Sequence, residues 1–212
     1  MIVLHHTAMA SAEAACARLC DPAAEVSAHY LISEAGAVQA LVPEELRAWH
    51  AGAGGWGGVT DVNSRSIGIE LANCGAEPFP EPQMAALEGV LADVMRRWSI
   101  PAARVIAHSD MAPGRKCDPG ARFDWRRLAL AGLAVWPESN PDAAMEDETD
   151  TVASFDAAAR AFGYPAAETA ALLAAFRLRF RPWARGPLDE ADAALARNLA
   201  RRFPVDAGRA GA

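Results

Sequence analysis

Five histidines, His5, His6, His29, His50 and His108, all lie within the first 108 residues of a 212-residue chain. A zinc ion needs side chains that present a lone pair at about 2 Å, and a catalytic zinc keeps one position open for water. His5 ends a short run of apolar residues, Ile2, Val3 and Leu4, and His108 ends another, Val105, Ile106 and Ala107. Asp118 follows on a loop with Pro and Gly that can fold back toward His108. Two strand-end histidines and a loop carboxylate make a plausible three-ligand set. No compact H-E-x-x-H motif accompanies it, so spacing alone leaves the set open. Taken singly, each histidine reads first as a satisfied structural residue; their confinement to half of the chain argues for a site.

Two further residues suit the same chemistry. Glu70 ends the run SIGIE at 66–70. A carboxylate among apolar strand residues is costly to desolvate unless it is paired or functional, so a general base would belong there. Lys116 is the single lysine of the chain and stands two positions before Asp118. An ammonium there could stabilise the oxyanion of a tetrahedral intermediate, though by itself it reads as an ordinary loop lysine.

These residues need elements to hold them. Residues 2–7 read as a strand, and Ser11 can cap a helix over 12–20. Segments 29–33 and 38–42 flank Gly36 as a hairpin, and 67–71 reads as an inner strand. A helix can begin at Pro82, with Met84, Leu87, Leu91, Val94, Met95 and Trp98 as one buried stripe. Residues 105–108 make another strand, followed by a loop at 111–120. Strands mixed with helices indicate an α/β domain over 1–137. Residues 138–150 are polar and acidic and suit a linker. Three helical patterns follow in 151–205, with Val152, Phe155, Ala159 and Phe162 on the first, Leu172, Leu173, Phe176 and Phe180 on the second, and Leu188, Leu195, Leu199 and Phe203 on the third. Residues 206–212 are a tail.

Net charge is −7, which argues against a nucleic-acid partner. Segment 138–150 holds six acidic and no basic side chains, whereas 151–212 holds nine basic and six acidic. A basic module including Arg177, Arg179 and Arg181 could therefore contact an anionic polymer. Cys16, Cys20, Cys74 and Cys117 show no paired C-x-x-C spacing, and no disulfide framework is expected. No apolar run approaches the ~18 residues of a membrane span, and no secretory signal is visible. That predicts a cytoplasmic monomer, or an envelope protein if an export signal was trimmed.

Five blocks occur in order: VLHHTA at 3–8, VSAHYLI at 26–32, AWHAG at 48–52, NSRSIGIE at 63–70 and AHSDMAPGRKCDPG at 107–120. Together they resemble the type-2 N-acetylmuramoyl-L-alanine amidase family, kin to phage lysozyme-type amidases and peptidoglycan recognition proteins, over residues 2–137. Segment 151–205, with FRLRFRP at 176–182, is similar to a three-helix peptidoglycan-binding module found in some bacterial members. The resemblance implies a central mixed β-sheet flanked by helices, followed by that module. It also implies zinc as cofactor, held by His5, His108 and Asp118. Glu70 matches the catalytic glutamate and Lys116 the lysine that steadies the transition state. His29 matches a structural histidine. His6, Trp49, His50, Asn63 and Arg65 are expected to face substrate.

The implied reaction is cleavage of the amide between the lactyl group of N-acetylmuramic acid and L-alanine, in peptidoglycan or anhydro-muropeptides. Three departures bear on it. Ala28 stands where some members carry an assisting tyrosine, which leaves that work to Glu70. Asp61 lies near an arginine position, so Arg65 would have to meet the stem-peptide carboxylate. Cys117 adjoins Asp118, and some phage members use cysteine as the third ligand; the spacing from Lys116 favours Asp118. The rival readings are a non-catalytic peptidoglycan-recognition protein and a zinc hydrolase of another amide.

Overall fold

The computed structural model describes residues 1–138 and 151–205. Apart from Glu138, the linker and tail expected from composition lie outside the described residues. Strands β1 (Ile2–His6), β2 (Tyr30–Ile32), β3 (Val38–Ala40), β4 (Ile67–Leu71) and β5 (Val105–Ala107) form one mixed sheet in the order β3-β2-β4-β1-β5. β1 runs parallel to both β4 and β5, β2 runs parallel to β4, and β3 returns antiparallel as the expected hairpin. Its turn needs Gly36: φ is +83°, and a Cβ there would collide with the Pro82 carbonyl.

Helices α1 (Ala12–Leu19), α2 (Glu81–Trp98), α3 (His108–Met111) and α4 (Trp125–Leu130) surround the sheet. Ser11 caps α1 by accepting from the Ala14 N–H at 3.2 Å. The α2 stripe buries Met84, Leu87, Leu91 and Val94, as its period demands. Trp98 departs from it: at the end of α2 it is 44% exposed and donates to Glu44, which also pairs with Arg97. His108 departs too. β5 stops at Ala107, and His108 opens α3 rather than closing a strand.

Alternation along the strands sorts the side chains between two layers. Ile2, Leu4, Ile67, Ile69 and Leu71 pack with the α2 stripe, Phe123 and Trp125. Val3 and Ile106 face the other way, into a second core with Trp56, Met111 and Val135. That core is completed by α5 (Thr151–Phe162), α6 (Thr169–Phe180) and α7 (Glu190–Arg202), which contribute Phe155, Phe162, Leu172, Phe176, Phe180 and Leu199. The C-terminal helices thus roof the second face of the sheet. Each of the four phenylalanines, fully buried, contributes about 1.5–3 kcal/mol.

The arginines expected on a basic surface are part of this packing. Arg177 pairs with Asp192 at 2.5 Å, Arg179 with Asp110 at 2.6 Å, and Arg181 with Asp189 and Asp192 at 2.6 Å each. Arg179 is 1% exposed and Arg177 8%. Periodicity left them on a solvent face because α6 has neighbours on more than one side. Such a helix buries more than one face, and only positions such as Ala170 and Ala174 stay exposed.

Truncation after Pro137 is expected to do more than remove a tether. It would uncover Val3, Ile106 and Met111 and strip Asp110 of its cation, and an uncompensated buried charge is strongly destabilising. The fragment should melt well below the full chain by circular dichroism, or fail to stay in solution. Its cleavage of soluble and insoluble substrates should fall together. A fragment that melts normally and loses only the insoluble substrate would mark 151–205 as an anchor instead.

Candidate metal centre and active-site cleft

The parallel register gathers the site at the carboxyl ends of the central strands, where open α/β sheets place their ligands. His5 on β1 lies opposite Glu70 on β4, so both point to the same face. His108 follows β5 directly, one strand over. The loop after α3 brings Asp118 back, held by the Ser109 N–H donating to the Asp118 carbonyl at 3.0 Å.

His5, His108 and Asp118 converge as a group able to hold a metal ion. His5 Nδ1 lies 2.9 Å from His108 Nδ1 and 3.0 Å from Asp118 Oδ2, and His108 Nδ1 lies 3.0 Å from the same oxygen. The outer hydrogen bonds dictate which nitrogens bear protons. His108 Nε2 is 2.8 Å from the Ala51 carbonyl, which can only accept, so Nε2 carries the proton and Nδ1 keeps its lone pair. Ser66 Oγ donates to the Val62 carbonyl at 2.5 Å and therefore accepts from His50 Nε2–H at 3.2 Å. His50 Nδ1 is left as the acceptor for His5 Nε2–H at 3.0 Å. Both inner nitrogens are thus lone pairs aimed at a carboxylate, a donor set that fits a divalent cation.

Electrostatics agree. Burial, then the neighbouring His108, lowers His5 to about 4, so its ring is neutral near pH 7. Burial alone would raise the Asp118 carboxyl, but the His108 and His5 imidazoles set against its Oδ2 outweigh it and hold it well below the usual carboxylate range. Glu70 faces the same space from β4. Burial, with the Asp118 charge adding to it, pushes Glu70 up to about 8, against the opposing pull of Lys116. Its Oε2 is buried and has no hydrogen-bond partner among the described residues. A strand carboxylate left in that state is free to handle a proton.

These groups sit in a cleft of about 410 Å³ lined also by His6, Thr7, Trp49, Arg115, Lys116 and Cys117. Trp49 is 52% exposed beside the opening. His6 faces the cleft while its Nδ1 meets the Pro119 carbonyl at 3.2 Å. His50 is buried, and its ring lies so close to β4 that a Cβ on Gly68 would strike it at 2.3 Å. Asn63 Oδ1 accepts from the N–H groups of His50 and Ala51, which holds the loop of cleft wall carrying them. Arg65 lines a separate depression with Glu44, Arg47 and Ile100. His29 accepts from the Gly68 N–H and donates to the Leu46 carbonyl, between two segments of backbone. Ala28 is fully buried.

Ser66 and Asp110 escaped sequence reasoning. Both stand inside recognised blocks, but each ends a polar run, NSRS at 63–66 and HSD at 108–110, in which no signal set it apart from its neighbours. Arg115 was also missed; it donates to the carbonyls of Ala51 and Ala53 beside the cleft.

Two lone-pair imidazoles and a low-pKa carboxylate able to hold a metal ion, beside a glutamate whose Oε2 has no partner among the described residues, make the lip of the mixed sheet a candidate hydrolase centre. Residues 1–121 match the N-acetylmuramoyl-L-alanine amidase family model, and the chain belongs to that family. It is 33% identical to the Escherichia coli amidase AmiD over 97% of this chain and 84% of that protein. The AmiD structure, solved with the substrate anhydro-N-acetylmuramic acid-L-Ala-D-gamma-Glu-L-Lys, superposes with a TM-score of 0.86 over 96% of this chain and 89% of AmiD. AmpDH3 from Pseudomonas aeruginosa, in complex with anhydromuramic pentapeptide, gives a TM-score of 0.87 at 31% identity, over 96% of this chain and 92% of AmpDH3. The 1,6-anhydro-N-acetylmuramyl-L-alanine amidase AmpD of Enterobacter cloacae is 41% identical over 49% of this chain and 55% of its own length.

Proposed function

We propose that this amidase uses zinc held by His5, His108 and Asp118 to cleave between the lactyl group of N-acetylmuramic acid and L-alanine, in anhydro-muropeptides and in peptidoglycan. The observation that carries the reading is the convergence of two lone-pair imidazole nitrogens and a carboxylate oxygen beside Glu70, whose Oε2 has no partner among the described residues. AmiD and AmpDH3, similar over almost the whole chain, were solved with anhydromuramyl peptides, which supports the same substrate class here. When bound, zinc would supply a Lewis acid and bring the pKa of water toward neutrality.

The chain's own groups do the rest. Glu70 takes a proton from the attacking water and passes it to the departing amine of L-alanine. No tyrosine shares that task, since the buried Ala28 has no group to offer. Lys116, on the exposed loop before Asp118, brings a positive charge to the oxyanion developing on the lactyl carbonyl. Trp49 and His6 face substrate from the cleft wall. His50 and Asn63 set the wall and the His5 tautomer from behind. Arg65 lies in the neighbouring depression, where it would reach only an extended stem peptide. Residues 1–137 carry the chemistry, and 151–205 complete the fold around it.

The test is product identity. Incubated with an anhydro-muramyl tripeptide in ¹⁸O water, the zinc-loaded protein should release a peptide beginning with L-alanine. Mass spectrometry should place the label in the lactyl carboxylate. Tight binding without cleavage would favour a recognition protein. An intact lactyl amide alongside cleavage elsewhere would favour a hydrolase of another bond.

A further inference from the structure

We propose that Asp110, Tyr164 and Arg179 position the metal ligand His108, so that the C-terminal helices help to build the metal centre as well as cover the sheet. The proposal rests on the zinc-site reading above. His108 sits on α3, a single turn of four residues, and one turn has little stability of its own. The Asp110 carboxylate supplies what holds it. Its Oδ2 accepts from the Ala107 N–H at 2.9 Å, closing the turn onto the end of β5. Tyr164 Oη donates to Oδ1 at 2.7 Å, and Arg179 Nη1 donates to Oδ2 at 2.6 Å. Arg179 Nη2 also reaches the Val105 carbonyl at 3.3 Å.

One guanidinium from α6 therefore clamps both segments that flank His108. The same turn donates the Ser109 N–H to the Asp118 carbonyl, so two of the three ligands hang on it. Asp110 is 0% exposed, Arg179 1% and Tyr164 3%, and the guanidinium stacks 4.2 Å from the Trp125 ring. A metal site needs its ligands held to within about half an ångström, and groups behind the ligands set that tolerance. The Arg177–Asp192 pair provides the contrast. Arg177 lies in the same helix as Arg179, is also buried, and its further bonds go to the carbonyls of Gly186 and Pro187, away from α3.

Three full-length variants separate positioning from mere stability: Tyr164→Phe, Arg179→Met and, as control, Arg177→Met. Tyr164→Phe keeps the ring against Trp56 and Phe162 and removes only the donor. The readouts are zinc affinity by chelator competition, the visible spectrum of the cobalt-loaded protein, and the melting temperature of the metal-free protein. Tyr164→Phe should weaken zinc binding roughly tenfold and shift the cobalt bands. Its metal-free melting temperature should fall no further than that of Arg177→Met. Arg179→Met should act in the same direction and more strongly. Arg177→Met should leave affinity and spectrum unchanged. Unaltered zinc affinity and spectrum in Tyr164→Phe, or equal losses in the Arg177→Met control, would overturn the positioning role, and Tyr164→Phe decides even if Arg179→Met does not fold. Wild-type protein that takes up no zinc would instead overturn the metal-site reading beneath it.

Discussion

Exchanging Glu70 for glutamine should lower turnover of an anhydro-muropeptide by roughly 10²–10⁴ while leaving zinc content at one per chain. The loss corresponds to about 3–5 kcal/mol of transition-state stabilisation. Glutamine keeps the shape of glutamate and cannot take a proton. Because Glu70 Oε2 has no partner among the described residues, the exchange breaks no hydrogen bond seen at that atom. The melting temperature near pH 7 should therefore hold or rise slightly, since glutamine removes the cost of keeping protonated a buried carboxyl whose pKa is pushed up to about 8. Glu70 lies outside the three-residue ligand group, so metal should stay. Single-turnover rates, elemental analysis and a melting curve on one preparation check all three points. Near-normal turnover with zinc retained would mean that another group serves as base, a task for which the buried Ala28 has no side chain.

His108→Ala should have the larger effect: no bound zinc after dialysis and no turnover above background. The two remaining ligands cannot complete a three-residue site, and the lost ring also gave up its bond to the Ala51 carbonyl. His6→Ala is the matched comparison. His6 adjoins His5 in sequence, but its Nδ1 meets the Pro119 carbonyl and it stands outside the convergent trio. It should retain most of its metal, with any loss of rate expressed through substrate binding. Elemental analysis and turnover of the pair decide the matter. A His108→Ala protein with full zinc content would remove His108 from the ligand set, and a metal-free His6→Ala protein would place His6 in it.

What the amino-acid sequence by itself determined was the first half of the site. The strands, the hairpin, the α2 stripe and the Ser11 cap are local, and a period of two or of 3.6 reports them directly. His5, Glu70, His108 and Asp118 could be named because each stands at an element end or as a polar residue in an apolar run. Their five blocks, in order, also carried the family resemblance. That His5 and Glu70 share a face follows from a register, His5 opposite Glu70, that only the pairing of two strands far apart in sequence could set. The tautomers of the two histidines were likewise out of reach. They depend on Ala51, His50, Ser66 and Val62, brought together by folding.

Tertiary structure alone decided the place of the C-terminal helices. In sequence, Arg177, Arg179 and Arg181 look the same whether they meet water or a buried carboxylate. A helical period identifies one packed face and is silent on whether a second partner covers the other. Here Asp110 and Asp192 wait on both sides of α6, so Arg177 and Arg179, which composition assigned to a surface, became interior ion pairs, and Arg181 is half-buried against Asp192. Burial of charge is a property of the assembled neighbourhood, because the desolvation it costs is offset only by a partner that the chain brings in from elsewhere.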